Sequence, residues 1–320
     1  MNNNISSDKK LIVLTGPTAV GKTELSIKLA KRTNGEIISA DSIQVYKHLD
    51  IGSAKITEEE MDGVRHHLID VLDPREGFNI ATFKAMADEA IADIYSRGKL
   101  PIIAGGTGFY IQSVLYDVNF VENEDDGYRA TLKDMLKDKG PEYLHNILAE
   151  IDPESADAIH MNNTKRVIRA LEYYHQTGKP ISKHNLEESS KSSPYNFAYF
   201  VLNCNRQKLY DRIDKRVDIM LENGLLEEVR YLKEELKLHK DLVSMQGLGY
   251  KEILSYLDGD INLEEAIYIL KRDTRHFAKR QLTWFRREKD VIWVDKDELD
   301  TENSQLEFIM NELRFRNIIN

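Results

Sequence analysis

The 320-residue chain holds a single cysteine, Cys204. No internal disulfide can form, which sets aside the disulfide-stapled secreted domains and fits a reducing compartment. Excess positive charge is also missing. The formal net charge is −10, which argues against a surface coated for nucleic acid but leaves room for a local basic patch. Long apolar runs are absent too. The opening MNNNISSDKK is polar, and the apolar stretch behind it is too short for a signal peptide or a membrane span. A cytoplasmic protein without membrane contact is expected. With 41% hydrophobic and 31% charged residues, the composition is that of a soluble globular chain. Its length suits one large or two ordinary domains.

What is present begins at Leu11. Leu11–Thr15 is apolar or β-branched and reads as a buried strand. Gly16-Pro17-Thr18-Ala19-Val20-Gly21-Lys22-Thr23 then fits G-x-x-x-x-G-K-[ST], and a helix follows with Leu25, Ile27, Leu29 and Ala30 on its inner side. The glycines let the backbone curl so that successive N–H groups point inward, and the helix N-terminus adds partial positive charge. Lys22 supplies a full charge, and the Thr23 hydroxyl can hold Mg²⁺. The loop binds a chain of phosphates but does not say whose.

Glu36–Ala40 reads as a second strand ending at Asp41. Ligands in open α/β sheets lie beyond the carboxyl ends of strands, so Asp41 falls beside the phosphate loop. Two roles suit it: a helix N-cap or a group behind Mg²⁺, and a general base facing the phosphate donor. The base is favoured. Ile51–Lys55 reads as a loop. His66-His67 suggests a metal, but adjacent side chains diverge and no further ligand is near, so structural or substrate-lining histidines are expected. Leu68–Asp73 resembles a weak second-phosphate-motif strand and is set aside. Ala81–Arg97 has helical spacing, and Pro101–Ala104 is a third strand running into Gly105-Gly106-Thr107-Gly108. Those glycines allow close backbone approach, taken as approach to ligand. The order βαβαβα implies a parallel three-layer sheet.

The pattern changes at the acidic stretch 122–126, read as a linker. Residues 128–185 carry helical and no strand signal, and 183–194 reads as a Ser-rich loop. Residues 122–189 are therefore expected as a helical insertion into a core made of 1–121 and 190–320. Phe197–Leu202 returns as a strand. Residues 212–236 read as one long amphipathic helix with a possible break at Gly224, and Arg212, Lys215 and Arg216 are placed in its first turns. Gly247–Glu252 is a glycine turn opening a helix. From Lys271 to Lys289 there are eight Lys/Arg against two acids, a local net of +6 in an acidic chain. A face carrying Arg272, Arg275, Lys279 and Arg286 suits a phosphate backbone. Val291–Val294 closes the sheet.

GPTAVGKT, DSIQVY, DIGSAK, GGTGFY, RVIRALE, RVDIMLENGL, GLGYKE and AKRQLTWFR together resemble the bacterial tRNA dimethylallyltransferases, in order and spacing, over roughly residues 10–295. The resemblance implies a P-loop NTPase-like parallel sheet with helices on both faces and a mostly helical inserted domain. It implies transfer of a dimethylallyl group from dimethylallyl diphosphate to N6 of the adenine 3′ of the anticodon, in tRNAs reading codons that begin with U. Mg²⁺ would be the cofactor, and no ATP would be hydrolysed. The anticodon stem-loop would be held between core and insertion by a monomer, with the target base turned out.

By the same resemblance Asp41 is the general base, and Ser42, Ile43 and Gln44 contact the target base and its neighbours. Gly16 to Thr23 hold the diphosphate, Thr107 lies beside the target nucleotide, and Arg216 reaches the diphosphate from across the channel. Lys165, Arg166, Val167, Ile168 and Arg169, and Gly247, Leu248, Gly249, Tyr250, Lys251 and Glu252, match tRNA-contacting segments. Many members have Gln where Lys165 stands. Three readings compete: a small-molecule P-loop kinase, a transferase acting on free adenine nucleotides, and a non-enzymatic RNA-binding module. The basic helix argues against the first two, and the combination of Lys22, Thr23 and Asp41 against the third.

Overall fold

A computed structural model of the chain describes residues 9–118, 126–189 and 191–320. The polar N-terminus, most of the acidic stretch 122–126 and the expected domain boundaries at 121/122 and 189/190 lie wholly or partly outside these residues. The chain divides into two compact units, Met1–Leu115 with Pro194–Asn320, and Tyr116–Ser193.

The first unit is built on six parallel strands: β1 (Lys10–Thr15), β2 (Gly35–Ala40), β3 (His66–His67), β4 (Leu100–Gly105), β5 (Asn196–Asn203) and β6 (Val291–Asp295). They lie in the order β3-β2-β4-β1-β5-β6. Parallel strands need crossovers. Here the connecting helices are α1 (Lys22–Thr33), the single turn α2 (Glu58–Met61), α3 (Ile80–Ser96) and α4 (Gly108–Leu115).

Both faces of the sheet are covered, which is why its strands are continuously apolar and not alternating. Ile12, Leu14, Ile37, Ile102 and Phe200 form one core with Leu25 and Leu29 of α1. Leu11, Val13, Ile38 and Ile103 alternate with them, point to the opposite face and are equally buried. There α3 buries Phe83, Ala87, Ile91 and Ile94. The two histidines diverge as adjacent strand residues must. His67 meets the buried Glu36 carboxylate at 2.8 Å, which also receives Arg97 and Lys99.

The second unit is helical: α5 (Tyr128–Lys139), α6 (Pro141–Ile151), α7 (Pro153–Ala158), α8 (Thr164–Thr177) and α9 (Ile181–Ser189). The last corrects the expected 183–194 loop, whose first half is helix. Leu132, Leu144, Leu148 and Leu171 form its core, and Arg129 grips Glu172 with two bonds of 2.6 Å.

The single helix expected over 212–236 is two, α10 (Arg206–Glu222) and α11 (Leu225–Glu234). Gly224 ends the run because it takes φ 97° as the N-cap of α11, a conformation costly for any other residue. Because α10 begins at Arg206, Arg216 stands in its third turn and not in its first. The unit is completed by α12 (Tyr250–Leu257), α13 (Leu263–Phe285) and α14 (Glu302–Phe315).

Candidate active site

Register brings the site together. Thr15, Gly105 and Ala40 are paired across β1, β4 and β2, and the Thr15 hydroxyl donates to the Gly105 carbonyl at 2.6 Å. The next residues, Gly16, Gly106 and Asp41, therefore leave the sheet side by side. Above them opens a cavity of about 350 Å³, within the range of small-ligand sites. Thr18, Gly21, Lys22 and Thr23 line it from the phosphate loop, Asp41 and Gln44 from the end of β2, and Arg212 and Arg216 from α10.

The loop curls as its motif requires. Gly16 has φ 149°, and a Cβ there would stand 2.7 Å from the Leu202 carbonyl oxygen of β5. The Lys22 ammonium folds back to donate to the Gly16 and Pro17 carbonyls at 3.0 and 2.8 Å. Burial, with Arg216 beside it, brings the Lys22 pKa down to about 7, and Asp41 only partly offsets them. The negative charge of a bound polyanion would outweigh both effects and favour the charged ammonium. Burial also lowers the Arg216 pKa, against the attraction of Asp41 and Glu60. The Thr23 side chain lines the cavity and makes no hydrogen bond among the described residues.

Asp41 combines both expected roles. One oxygen, Oδ1, accepts the Ile43 and Gln44 amides at 2.9 and 3.3 Å, a local turn of the kind short acids make. This fixes the carboxylate and leaves Oδ2 for a ligand. The Gln44 amide nitrogen donates to the Ser53 and Ala54 carbonyls, both at 3.2 Å, so its carbonyl oxygen is the atom free for a ligand. The apolar part of the lining is Ile37, Ile56, Ile69 and Phe277, with His66 beside them in the lining. His66 Nδ1 faces the Val64 carbonyl at 2.9 Å and so carries its proton there. Burial holds its pKa below the ordinary histidine value.

Several expected residues stand elsewhere. Thr107 is half-buried outside the cavity lining, with its amide bonded to the Ala40 carbonyl at 3.2 Å. Of the glycines around the end of β4, Gly105 and Gly106 line the cavity, and Gly106 and Gly108 also admit side chains of α13. A Cβ on Gly106 would overlap Gln281 Nε2, and one on Gly108 would overlap the Trp284 indole. Tyr250 and Glu252, expected at tRNA, are buried. The Tyr250 hydroxyl donates to Glu228 at 2.9 Å and accepts the Ser53 amide at 3.1 Å, and Glu252 accepts the Gly249 amide at 2.9 Å. Val167 and Ile168 belong to the core of the helical unit, which leaves Lys165 and Arg166 exposed on α8.

Nor is the basic helix an unpaired face. Arg275 meets Asp214 and Lys271 meets Asp218, each at 2.5 Å and each acid on α10, while Arg272 meets its neighbour Asp273 at 2.8 Å. Among the described residues, Lys279 and Arg286 nearer the C-terminus are exposed and make no ion pair.

Sequence reasoning missed Gln281 and Glu228. Gln281 is buried and accepts the Thr18 amide at 2.8 Å while donating to the Gly106 carbonyl at 2.9 Å. The signal was available: it is the one amide on the apolar stripe between Ala278 and Phe285. Glu228 gathers the Asp50, Ile51 and Gly52 amides at 3.1, 2.7 and 3.0 Å and thereby shapes the loop that carries Ser53 to the cavity. Nothing in the local sequence marks it.

Fold and site together define a P-loop-type α/β protein that sets a fixed carboxylate against a loop lined by Lys22 and faced by Arg216. The family model for IPP transferase matches residues 44–288, and the chain belongs to that family. It is 59% identical over 310 residues to the tRNA dimethylallyltransferase of Lachnoclostridium phytofermentans, covering 97% of this chain and 99% of that one. It is also similar to the crystal structure of a full-length tRNA isopentenylpyrophosphate transferase from Bacillus halodurans, at 46% identity and TM-score 0.72, covering 97% and 98% of the two chains. A eukaryotic dimethylallyltransferase acting on tRNA matches at 33% identity and TM-score 0.82, over 97% of this chain and 80% of the other.

Proposed function

We infer that this chain is a tRNA dimethylallyltransferase, which moves a dimethylallyl group from dimethylallyl diphosphate to N6 of the adenine 3′ of the anticodon. The observation that carries the chemistry is Asp41: one carboxylate oxygen is locked by backbone amides, and the other shares a cavity with Lys22 and Arg216. Adenine N6 is a weak nucleophile because its lone pair is delocalised into the ring. As N6 bonds to the allylic carbon, the carbon–oxygen bond to the diphosphate breaks and takes its electron pair to the leaving group. The attacking nitrogen becomes acidic and gives its proton to Asp41.

Charge grows on the diphosphate as the bond stretches, so Lys22, the loop amides and Arg216 stabilise the transition state more than the ground state. The residues present fit Mg²⁺. Thr23 offers a free hydroxyl beside Lys22, and Mg²⁺ is commonly held by few protein oxygens together with substrate phosphates. Bound there, Mg²⁺ would neutralise diphosphate charge. On this reading the enzyme is a cytoplasmic monomer acting on tRNA. No described helix is long and apolar enough to cross a membrane.

The test uses radiolabelled dimethylallyl diphosphate, Mg²⁺, and unmodified tRNA and AMP as separate acceptors. Label in tRNA alone is expected. Label on AMP would replace this reading with a free-nucleotide transferase, and no label with ATP consumed on small acceptors would replace it with a kinase.

A further inference from the structure

Lys296 follows β6 and belongs to none of the motifs above. Its amide donates to the Asn203 carbonyl at 2.9 Å, which anchors the residue at the carboxyl end of β5. From there the side chain reaches the phosphate loop. Its Nζ lies 3.0 Å from the position a Cβ would occupy on Gly21, the residue just before Lys22. Gly21 has φ 94°, so this close approach is made to a backbone position that disfavours a side chain.

Among the described residues Lys296 has no ion-pair partner. The acids that raise its pKa, Glu24 and Glu302, both bond Lys28 instead. Its other charged neighbour is Arg212, a second cation, which lines the cavity one helical turn before Arg216. Arg212 likewise has no carboxylate partner there. Burial and Arg212 both hold the Lys296 pKa below the ordinary lysine value. Two like charges held together over the loop, with Asp297 acting on Arg212 only at a distance and itself paired with Lys208, raise the free energy of the empty site, and a shared anion lowers it.

We propose that Lys296 and Arg212 form the outer rim of the phosphate site and hold the terminal phosphate of the donor, together with the loop amides. This assignment rests on the prenyl-transfer reading. It gives the enzyme a means of preferring a diphosphate to a monophosphate, because these two cations meet only the terminal group. It also gives the product diphosphate more cationic contacts than a P-loop lysine and one arginine would supply.

The experiment is calorimetric titration of the full chain with inorganic pyrophosphate and with dimethylallyl monophosphate, in Mg²⁺ buffer. Lys296→Ala and Arg212→Ala are each expected to weaken pyrophosphate about tenfold and leave the monophosphate unchanged, while Lys296→Arg stays near wild type. In turnover, the donor KM should rise with the tRNA KM unaltered. Unchanged pyrophosphate affinity overturns the proposal, as does equal loss for both ligands or a rise confined to the tRNA KM. If Lys296→Ala does not fold, Lys296→Gln carries the same test. Wild-type protein that ignores pyrophosphate, or binding indifferent to Lys22→Ala, would instead refute the prenyl-transfer reading itself.

Discussion

The Gln281 carboxamide accepts the Thr18 amide at 2.8 Å and donates to the Gly106 carbonyl at 2.9 Å, and so ties the phosphate loop to the turn after β4 through one side chain. Gln281 itself is buried, and both bonds are partly shielded from water. Gln281→Leu keeps the volume but strands a buried N–H and a carbonyl, at about 1–3 kcal/mol. A lower melting temperature and a donor KM raised about tenfold are expected. An unchanged KM would show that the loop holds its shape alone.

Gly106→Ala should be at least as damaging, because its methyl would overlap Gln281 Nε2. Overpacking of this kind costs about 1–3 kcal/mol. The double variant Gly106→Ala with Gln281→Ala should lose less stability than the two singles added together. Strict additivity in denaturant melts would mean the two do not meet.

Asp41→Asn keeps a carbonyl oxygen for the Ile43 and Gln44 amides and removes the proton acceptor. Single-turnover transfer should fall by roughly 10²–10⁴-fold, with tRNA affinity near wild type. Transfer at the wild-type rate would remove Asp41 from the chemistry.

Lys22 should make donor binding proton-linked. Its pKa is about 7 in the free cavity, and a bound polyanion raises it. Near pH 8 the free enzyme holds Lys22 largely neutral and the complex holds it charged, so binding takes up a proton. Pyrophosphate titrations at pH 8, in buffers of differing ionisation enthalpy, should show up to about one proton more taken up by wild type than by Lys22→Arg, whose guanidinium stays charged. Equal uptake would mean Lys22 is charged throughout.

Glu228→Gln should loosen the loop at 50–53 without touching the cavity directly. The carboxylate takes the Asp50, Ile51 and Gly52 amides and the Tyr250 hydroxyl. One amide oxygen cannot hold both ends, and about 1–3 kcal/mol of stability is expected to go. Faster hydrogen exchange at Ile51–Ser53 would register the local effect, and unchanged protection there would refute it.

The local chemistry was legible wherever function depends on a short run of backbone. The phosphate loop, the strand before it and the helix after it follow from thirteen consecutive residues, Leu11 to Thr23, because curling the chain around phosphate needs Gly16, Gly21 and Lys22 at fixed spacing. Asp41 was legible for a related reason: carboxyl ends of parallel strands meet at one edge, so the residue after β2 had to stand by the loop. The βαβ order and the helical insert followed from periodicity, and the break at Gly224 from backbone freedom.

What the tertiary structure decided are relations between segments remote in sequence. A local charge count put Arg272 and Arg275 on an open cationic face; the acids that answer Arg275 and Lys271 come from α10, some sixty and fifty residues earlier. Tyr250, Glu252, Val167 and Ile168 sat in motifs read as tRNA contacts, yet their side chains hold the scaffold. The glycines after β4 signalled close approach, and only packing shows that Gln281 and Trp284 come against Gly106 and Gly108 while Gly105 and Gly106 also border the cavity. Composition and spacing fix what a segment can bind; which partner reaches it depends on how the sheet edge, the helices and their charges close in three dimensions.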